Sequence, residues 1–332
     1  MTAYRPLTTL ATRLVRFLGD RIAARSPGRG RLCVLNYHRI LEKPDPLLAT
    51  EPDVATFRWQ MQVLADGFNV LSIDQAMAAL DTGTLPPRAV CITFDDGYRS
   101  THDLALPVLR EFGFPAMVFV TSGFVDNGSM WNDHILEALR TMSVNHLDLE
   151  DAGLGSYPLG TLEERRQAVA LLTEKAKYLA PPLRQALVDR LDTVAGRPLR
   201  EPMLTRQMIH TLVNNGVDIG AHTVSHPILT SLDDDSARAE IVGAKLELEA
   251  ISGRPVRYFA YPNGKAGKDF DQRHATMARE AGFAAAFTTA IGAVSAKQDR
   301  YRLPRSRPWD THPTMFAARL LHWIHGGNRA GE

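Results

Sequence analysis

Two short stretches carry residues whose types and spacing can do chemistry: "TFDDG" (residues 93–97) and "HTVSH" (residues 222–226). Asp95 and Asp96 are adjacent, and two like charges side by side each raise the cost of ionising the other. A divalent cation resolves that conflict. One carboxylate ligates it, and the other stays ionised to take a proton from bound water whose pKa the cation has lowered. His222 and His226 are separated by three residues, and on a helical turn such imidazoles face one way and can share a metal. The HExxH pattern of zinc peptidases needs glutamate directly after the first histidine; Thr223 stands there, so that reading fails. Two imidazoles plus one carboxylate are a common catalytic metal set with open positions. Alone, "DDG" reads as a solvated turn, and a lone H-x-x-x-H as an incidental pair. Together, after an apolar run, they read as a metal site.

The elements that must position these residues follow from the pattern around them. "LCVLNY" runs into His38, "AVCITF" into Asp95 and Asp96, and "VDIGA" into His222. Each is a short apolar run of strand type, and α/β folds and barrels build their sites at strand C-terminal ends. "FNV", "PAMVFV", "VRYFA" and "AAAFTT" read as further strands. "SIDQAMAAL", "STHDLALPVLREFG", "TRQMIHTLVNNG", "DDDSARAEIVGAKLELEAISG" and "RHATMAREAGF" read as helices. Such alternation predicts an α/β fold with a mostly parallel sheet, open or closed into a barrel. It breaks between about 133 and 200. There "TLEERRQAVALLTEKAKYL", opened by a Thr161–Glu164 capping box, and "LRQALVDRLDTVAG" are helical with little strand signal. This region reads as a helical insertion.

Taken in order, "TFDDGY", "HTVSHP" and "FAYPNG" resemble the polysaccharide deacetylase family, also called NodB-homology or carbohydrate esterase family 4, from about residue 32 to 308. The resemblance implies a distorted (β/α) barrel of the NodB-homology type. It implies one divalent metal ion, zinc first, with cobalt, nickel or manganese as alternatives. The implied reaction removes N-acetyl groups from N-acetylhexosamine units of a polysaccharide or its lipid-linked precursor. By the same resemblance Asp95 matches the general base, and Asp96, His222 and His226 match the metal ligands. Tyr261 and Pro262, with Asn263 beside them, match the groove wall, where a backbone amide helps hold the oxyanion. Two departures stand out. The family's third motif often carries an arginine that orients the base; here Ala260 occupies the stretch, and Arg305 in "RLPRSRP" is the substitute. The family's closing Leu-x-His, which supplies the proton donor, has no counterpart, although His312 lies nearby. "LNYHRI" resembles the YHxI/V opening of the branch containing poly-N-acetylglucosamine deacetylases, which makes His38 the expected general acid. Without a donor the amine would have to leave as an anion. Trp131 and Asp133 in "MWND" suit a sugar site, and Trp309 in "RPWD" is a further aromatic. The same site would serve an O-deacetylase or deformylase, and the same fold a glycan-binding protein without activity.

Composition sets the remaining bounds. The chain has 332 residues, 45% hydrophobic and 23% charged, enough for a large core. A net charge of +1 gives no argument for nucleic-acid binding. Cys33 and Cys91 both sit in apolar runs, as small buried residues of a reducing compartment do. No stretch is long and apolar enough to cross a bilayer. Residues 1–30 are basic, with Arg5, Arg13, Arg16, Arg21, Arg25 and Arg29 against Asp20. Leu7, Leu10, Leu14, Phe17, Leu18 and Ile22 recur at helical spacing. This segment reads as an amphipathic helix, either lying on an anionic membrane surface or packed on its own domain with solvated arginines. The expectations are a basic segment over 1–30, a deacetylase domain over 31–320 and a tail over 321–332. The expected protein is a cytoplasmic enzyme, peripheral on the inner face of the membrane if that helix binds there, with a glycan as substrate.

Overall fold

The computed structural model describes residues 30–126, 128–196 and 202–325. The basic segment expected to form an amphipathic helix lies outside them.

The longest strands are those with unbroken apolar runs. β1 (Leu32–Tyr37) is buried along its whole length. Beyond β2 (Asn69–Val70), β3 (Ala89–Phe94) and β4 (Ala116–Val120) are buried throughout as well. This is what parallel strands covered on both faces require. After the insertion follow β7 (Val217–Ala221), β8 (Tyr258–Ala260) and β9 (Ala285–Phe287). The order β1-β3-β4-β7-β8-β9 is parallel throughout, and β2 pairs with the first residues of β3. The sheet curls, and a segment after β9 joins its two edges. Leu303 exchanges backbone hydrogen bonds with Ala286 and Thr288, and Ser306 with Val34 and Asn36. Pro304 and Pro308 bias the residues before them, Leu303 and Arg307, to an extended backbone, which suits this bridging role.

Helices cover the outside: α1 (Val54–Gly67), α2 (Ile73–Thr82) and α3 (Leu106–Phe112) come before the insertion. The insertion contains α4 (Trp131–Thr141), α5 (Leu162–Ala176) and α6 (Pro181–Val194). Thr161 and Glu164 form the expected capping box at the start of α5. The strand-poor expectation for this region needs correction. β5 (His146–Leu149) and β6 (Gly155–Pro158) pair as an antiparallel hairpin between α4 and α5. Only alternate residues of β5 are buried, so its apolar signal is weak. The insertion has its own core, with Ile135, Leu139, Leu149, Leu159, Leu172 and Leu191 fully buried.

Three helices complete the main layer: α7 (Arg206–Asn214), α8 (Asp234–Ser252) and α9 (Gln272–Glu280). A last helix, α10 (Pro313–Ile324), starts at the His312 cap. α10 carries the chain past residue 320, the expected start of a tail. Phe316, Leu320, Trp323 and Ile324 join the main core, so Leu321–Ile324 belong to the packed domain. Among the described residues no helix is long and apolar enough to cross a membrane.

Candidate active site

Because the sheet is parallel, β1, β3, β7 and β8 deliver their last residues to one rim. Asp95 N donates to Tyr37 O and His222 N to Val120 O, so the chain passes from each strand to its site residue in register. Gly97 then turns the chain sharply. Its φ is +92°, and an added Cβ would lie 3.1 Å from Val120 Cγ1, so "TFDDG" needs glycine here.

Asp96 Oδ1 lies 3.5 Å from His222 Nε2 and 3.4 Å from His226 Nε2. The three ligand atoms lie within 4.8 Å of one another. Two donors each about 2.0–2.1 Å from one tetrahedral cation lie about 3.4 Å apart, so the donor set fits a bound cation. His222 Nδ1 is 2.7 Å from the Ala260 carbonyl. That contact places the ring hydrogen on Nδ1 and leaves the Nε2 lone pair facing Asp96. Burial lowers the pKa of both histidines, with the neighbouring His222 ring adding to the effect on His226. Both shifts favour the neutral imidazole that a metal ligand must be.

The histidine pair does not sit on a helical turn. Residues 222–226 form an irregular loop in which Thr223 (φ 66°) and His226 (φ 56°) take left-handed backbone. Thr223 Oγ1 donates to His222 O and accepts from His226 N. Glu240, on α8, accepts from Val224 N, Ser225 N and Ser225 Oγ. Asp96 (φ 71°) and Asn263 (φ 58°) are left-handed too, so among the described residues four of the six such non-glycine residues stand at this rim. Each costs on the order of 1 kcal/mol or more. Strain concentrated in this way marks a site whose geometry is held by its surroundings.

The two aspartates are electrostatically unlike. Arg305, fully buried, grips Asp95 with both nitrogens, Nη1–Oδ1 2.6 Å and Nη2–Oδ2 2.8 Å. Its Nε donates to Thr288 O. Burial alone would raise the Asp95 pKa; the Arg305 guanidinium leads the groups that together outweigh it and hold the carboxyl well below the usual range. For Asp96, burial and then the Asp95 charge push the pKa well up, which a cation there would reverse.

These groups share a cleft of about 690 Å³ with His38, Trp131, Asn132, Asn263, Arg307 and Trp309. The insertion supplies one wall, through Val169, Ala170, Thr173 and Glu174 of α5 and the following Lys177. His38 Nδ1 lies 3.0 Å from Arg307 Nη2. Burial, then the Arg307 charge, lowers the His38 pKa well below its ordinary value. His312 is exposed and caps α10, accepting from Thr314 N at 3.3 Å, so it has no place in the cleft.

The third motif lies differently from expectation. Tyr261 is turned into the core, stacked on Phe270 at 3.7 Å between ring centroids, and neither it nor Pro262 lines the cleft. The Tyr261 N–H is engaged by Phe287 O, Pro262 has none, and the Gly264 N–H closes onto Pro262 O. Asn263 lines the cleft, and among the described residues its N–H has no backbone partner. Trp131 lines the cleft; it is 9% exposed, with the Arg184 guanidinium 4.9 Å from its ring centroid. Asp133 is buried and paired with Arg39 at 2.5 Å, and it does not line the cleft. Trp309 lines the cleft and is 53% exposed.

Sequence reasoning missed Asn36, Glu51, Glu240 and Arg307. Arg307 had a signal. It stands two residues after Arg305 in an extended stretch, and such residues point to the same side.

The polysaccharide deacetylase family model matches residues 82–286, well over half of the chain. The protein belongs to the polysaccharide deacetylase family. The match starts after β1, so "LNYHRI" lies outside it. A poly-β-1,6-N-acetyl-D-glucosamine N-deacetylase of Staphylococcus epidermidis is 29% identical over 144 residues, 39% of this chain and 50% of that protein. The chain thus spans about half the length of that relative. The deacetylase PplD of Streptococcus pyogenes, solved with acetate, superposes with a TM-score of 0.60 at 20% identity, covering 89% of this chain and 99% of that one. IcaB from Ammonifex degensii superposes at 0.57 with 19% identity, covering 90% and 98%. The likeness of the two structures shows a shared fold: a curled parallel sheet ringed by helices.

Proposed function

We propose that this deacetylase is metal-dependent and removes N-acetyl groups from N-acetylhexosamine units of a polysaccharide or its lipid-linked precursor. The observation that carries the proposal is the Asp95 carboxyl, gripped by both Arg305 nitrogens, directly beside the Asp96–His222–His226 donor cluster. Asp96, His222 and His226 would hold the cation, zinc first among the candidates. Bound there, it supplies Lewis-acid polarisation of the acyl oxygen and a lowered pKa for the attacking water.

The remaining chemistry belongs to the chain. Asp95 takes a proton from water as the new C–O bond forms. The Asn263 N–H donates to the developing oxyanion. His38 donates a hydrogen bond to the departing nitrogen. As the C–N bond breaks, the proton that Asp95 took from water passes to the nitrogen, so the amine's new N–H bond balances the O–H bond lost by water and Asp95 is returned to its carboxylate form. The products are acetate and a free amine on the sugar. Trp309 offers its exposed face to a neighbouring sugar ring. The names of the Staphylococcus relative and of its Escherichia coli counterparts support poly-N-acetylglucosamine as the first substrate to try, as does the resemblance of "LNYHRI" to that branch.

Acetate release from a panel of N-acetylhexosamine oligosaccharides tests this reading, with zinc-loaded protein beside Asp95→Asn and chelator-treated protein. Release that collapses in both controls is expected. Release that survives chelation and reconstitution in metal-free buffer would refute metal dependence.

A further inference from the structure

The segment that joins the sheet edges sends a second arginine into the cleft. Arg307 Nη2 lies 3.0 Å from His38 Nδ1 and 3.1 Å from Glu51 Oε1. A guanidinium has donors only, so in this contact Nδ1 accepts. Neutral imidazole carries one hydrogen, and with Nδ1 accepting it sits on Nε2. We propose that Arg307, steadied by Glu51, is a positioning residue that locks His38 as the Nε2–H tautomer, so that His38 enters the reaction as a neutral hydrogen-bond donor and not as an imidazolium.

Three observations support this. An imidazolium would set a second N–H against the guanidinium, opposing two donors and two positive charges. Arg307 is held from several sides: Glu51 is 12% exposed at its side chain, and the Trp309 ring centroid lies 5.7 Å from the guanidinium carbon. The same extended segment also sends Arg305 to Asp95. Alternate residues of one segment thereby prepare both proton-handling groups, an ionised acceptor and a neutral donor. Burial of His38 acts in the same direction.

The catalytic consequence rests on the role proposed above for His38; the tautomer does not. Two-bond proton–nitrogen correlation spectra of the zinc-loaded, histidine-labelled protein read the tautomer directly. The wild type is expected to show His38 as Nε2–H at neutral pH. Arg307→Lys, which keeps a donor, should preserve that signature. Arg307→Met should introduce the Nδ1–H form and lower kcat about tenfold with KM within about twofold. Glu51→Gln, which loosens Arg307 without removing it, should shift the same signals in the same direction if Arg307→Met does not fold. An imidazolium or Nδ1–H form in the wild type overturns the proposal. So does a His38 signature that neither Arg307→Met nor Glu51→Gln changes. A wild type that releases no acetate would sink the deacetylase reading and leave the spectra to decide the tautomer.

Discussion

Replacing Arg305 with methionine tests whether Asp95 is kept ionised by that one partner. The pair is buried on both sides, at 0% and 3% side-chain exposure, with contacts of 2.6 and 2.8 Å. Removing one member of a buried pair leaves an uncompensated charge, which costs about 3–5 kcal/mol. In the wild type the Asp95 pKa is depressed below its unfolded value of about 3.9. Its stabilisation is therefore complete above that value and is lost only as pH falls through the lower, folded pKa. Without Arg305, burial pushes the Asp95 pKa above the unfolded value, and the sign reverses. The variant is then most penalised at high pH and recovers by about 1.4 kcal/mol for each unit below its new pKa. Urea unfolding of both proteins between pH 5 and 8 should show a stability gap of about 3–5 kcal/mol at pH 8 that narrows towards pH 5. In parallel, acetate release by the variant should fall about 100-fold at pH 7 and rise as the buffer becomes more alkaline. A stability gap independent of pH, with an unshifted activity profile, would refute this account of the base.

Other consequences are as direct. Wild-type protein dialysed against zinc should retain one equivalent by elemental analysis, and Asp96→Ala and His226→Ala should lose at least about 100-fold in affinity. Trp309→Ala should raise KM for oligosaccharides roughly fivefold while kcat stays within about twofold, since an exposed aromatic face contributes about 1 kcal/mol of stacking. Trp323→Ala, in the part of α10 beyond residue 320, should cost about 3–5 kcal/mol in denaturant unfolding, because that side chain is 4% exposed.

Much of this fold was legible from local pattern. The buried strands announce themselves as apolar runs ending in polar residues, and most helices by their periodicity and capping. α1 escaped because Arg58, Gln60 and Gln62 break up its apolar stripe, although Gln60 is buried and accepts from Tyr37 Oη at 2.8 Å. α10 escaped because it follows a Pro-rich stretch and is recognised by what it packs against. The β5–β6 hairpin carries too few buried residues to stand out before the insertion closes around it. At the site, residue type and order were enough to single out Asp95, Asp96, His222 and His226. Their local geometry was not. A spacing of three residues between histidines suggests a helix, whereas Thr223 and Glu240 hold an irregular loop with two left-handed residues.

The sequence by itself therefore determined the chemistry on offer, because strand ends, carboxylates and imidazoles are local features, and determined that parallel strands would carry them to one rim. Only the tertiary structure decided how each group is conditioned. Arg305 reaches Asp95 across 210 residues and Arg307 reaches His38 across 269, contacts that exist only once the last segment bridges the sheet edges. Tyr261 gives up the cleft to Asn263 because its ring stacks on Phe270 and its amide completes the pairing of β8 with β9. The physical reason is common to all three. Which partner a buried charge or amide finds depends on chain closure and on competing hydrogen bonds, and neither is written in the spacing of neighbouring residues.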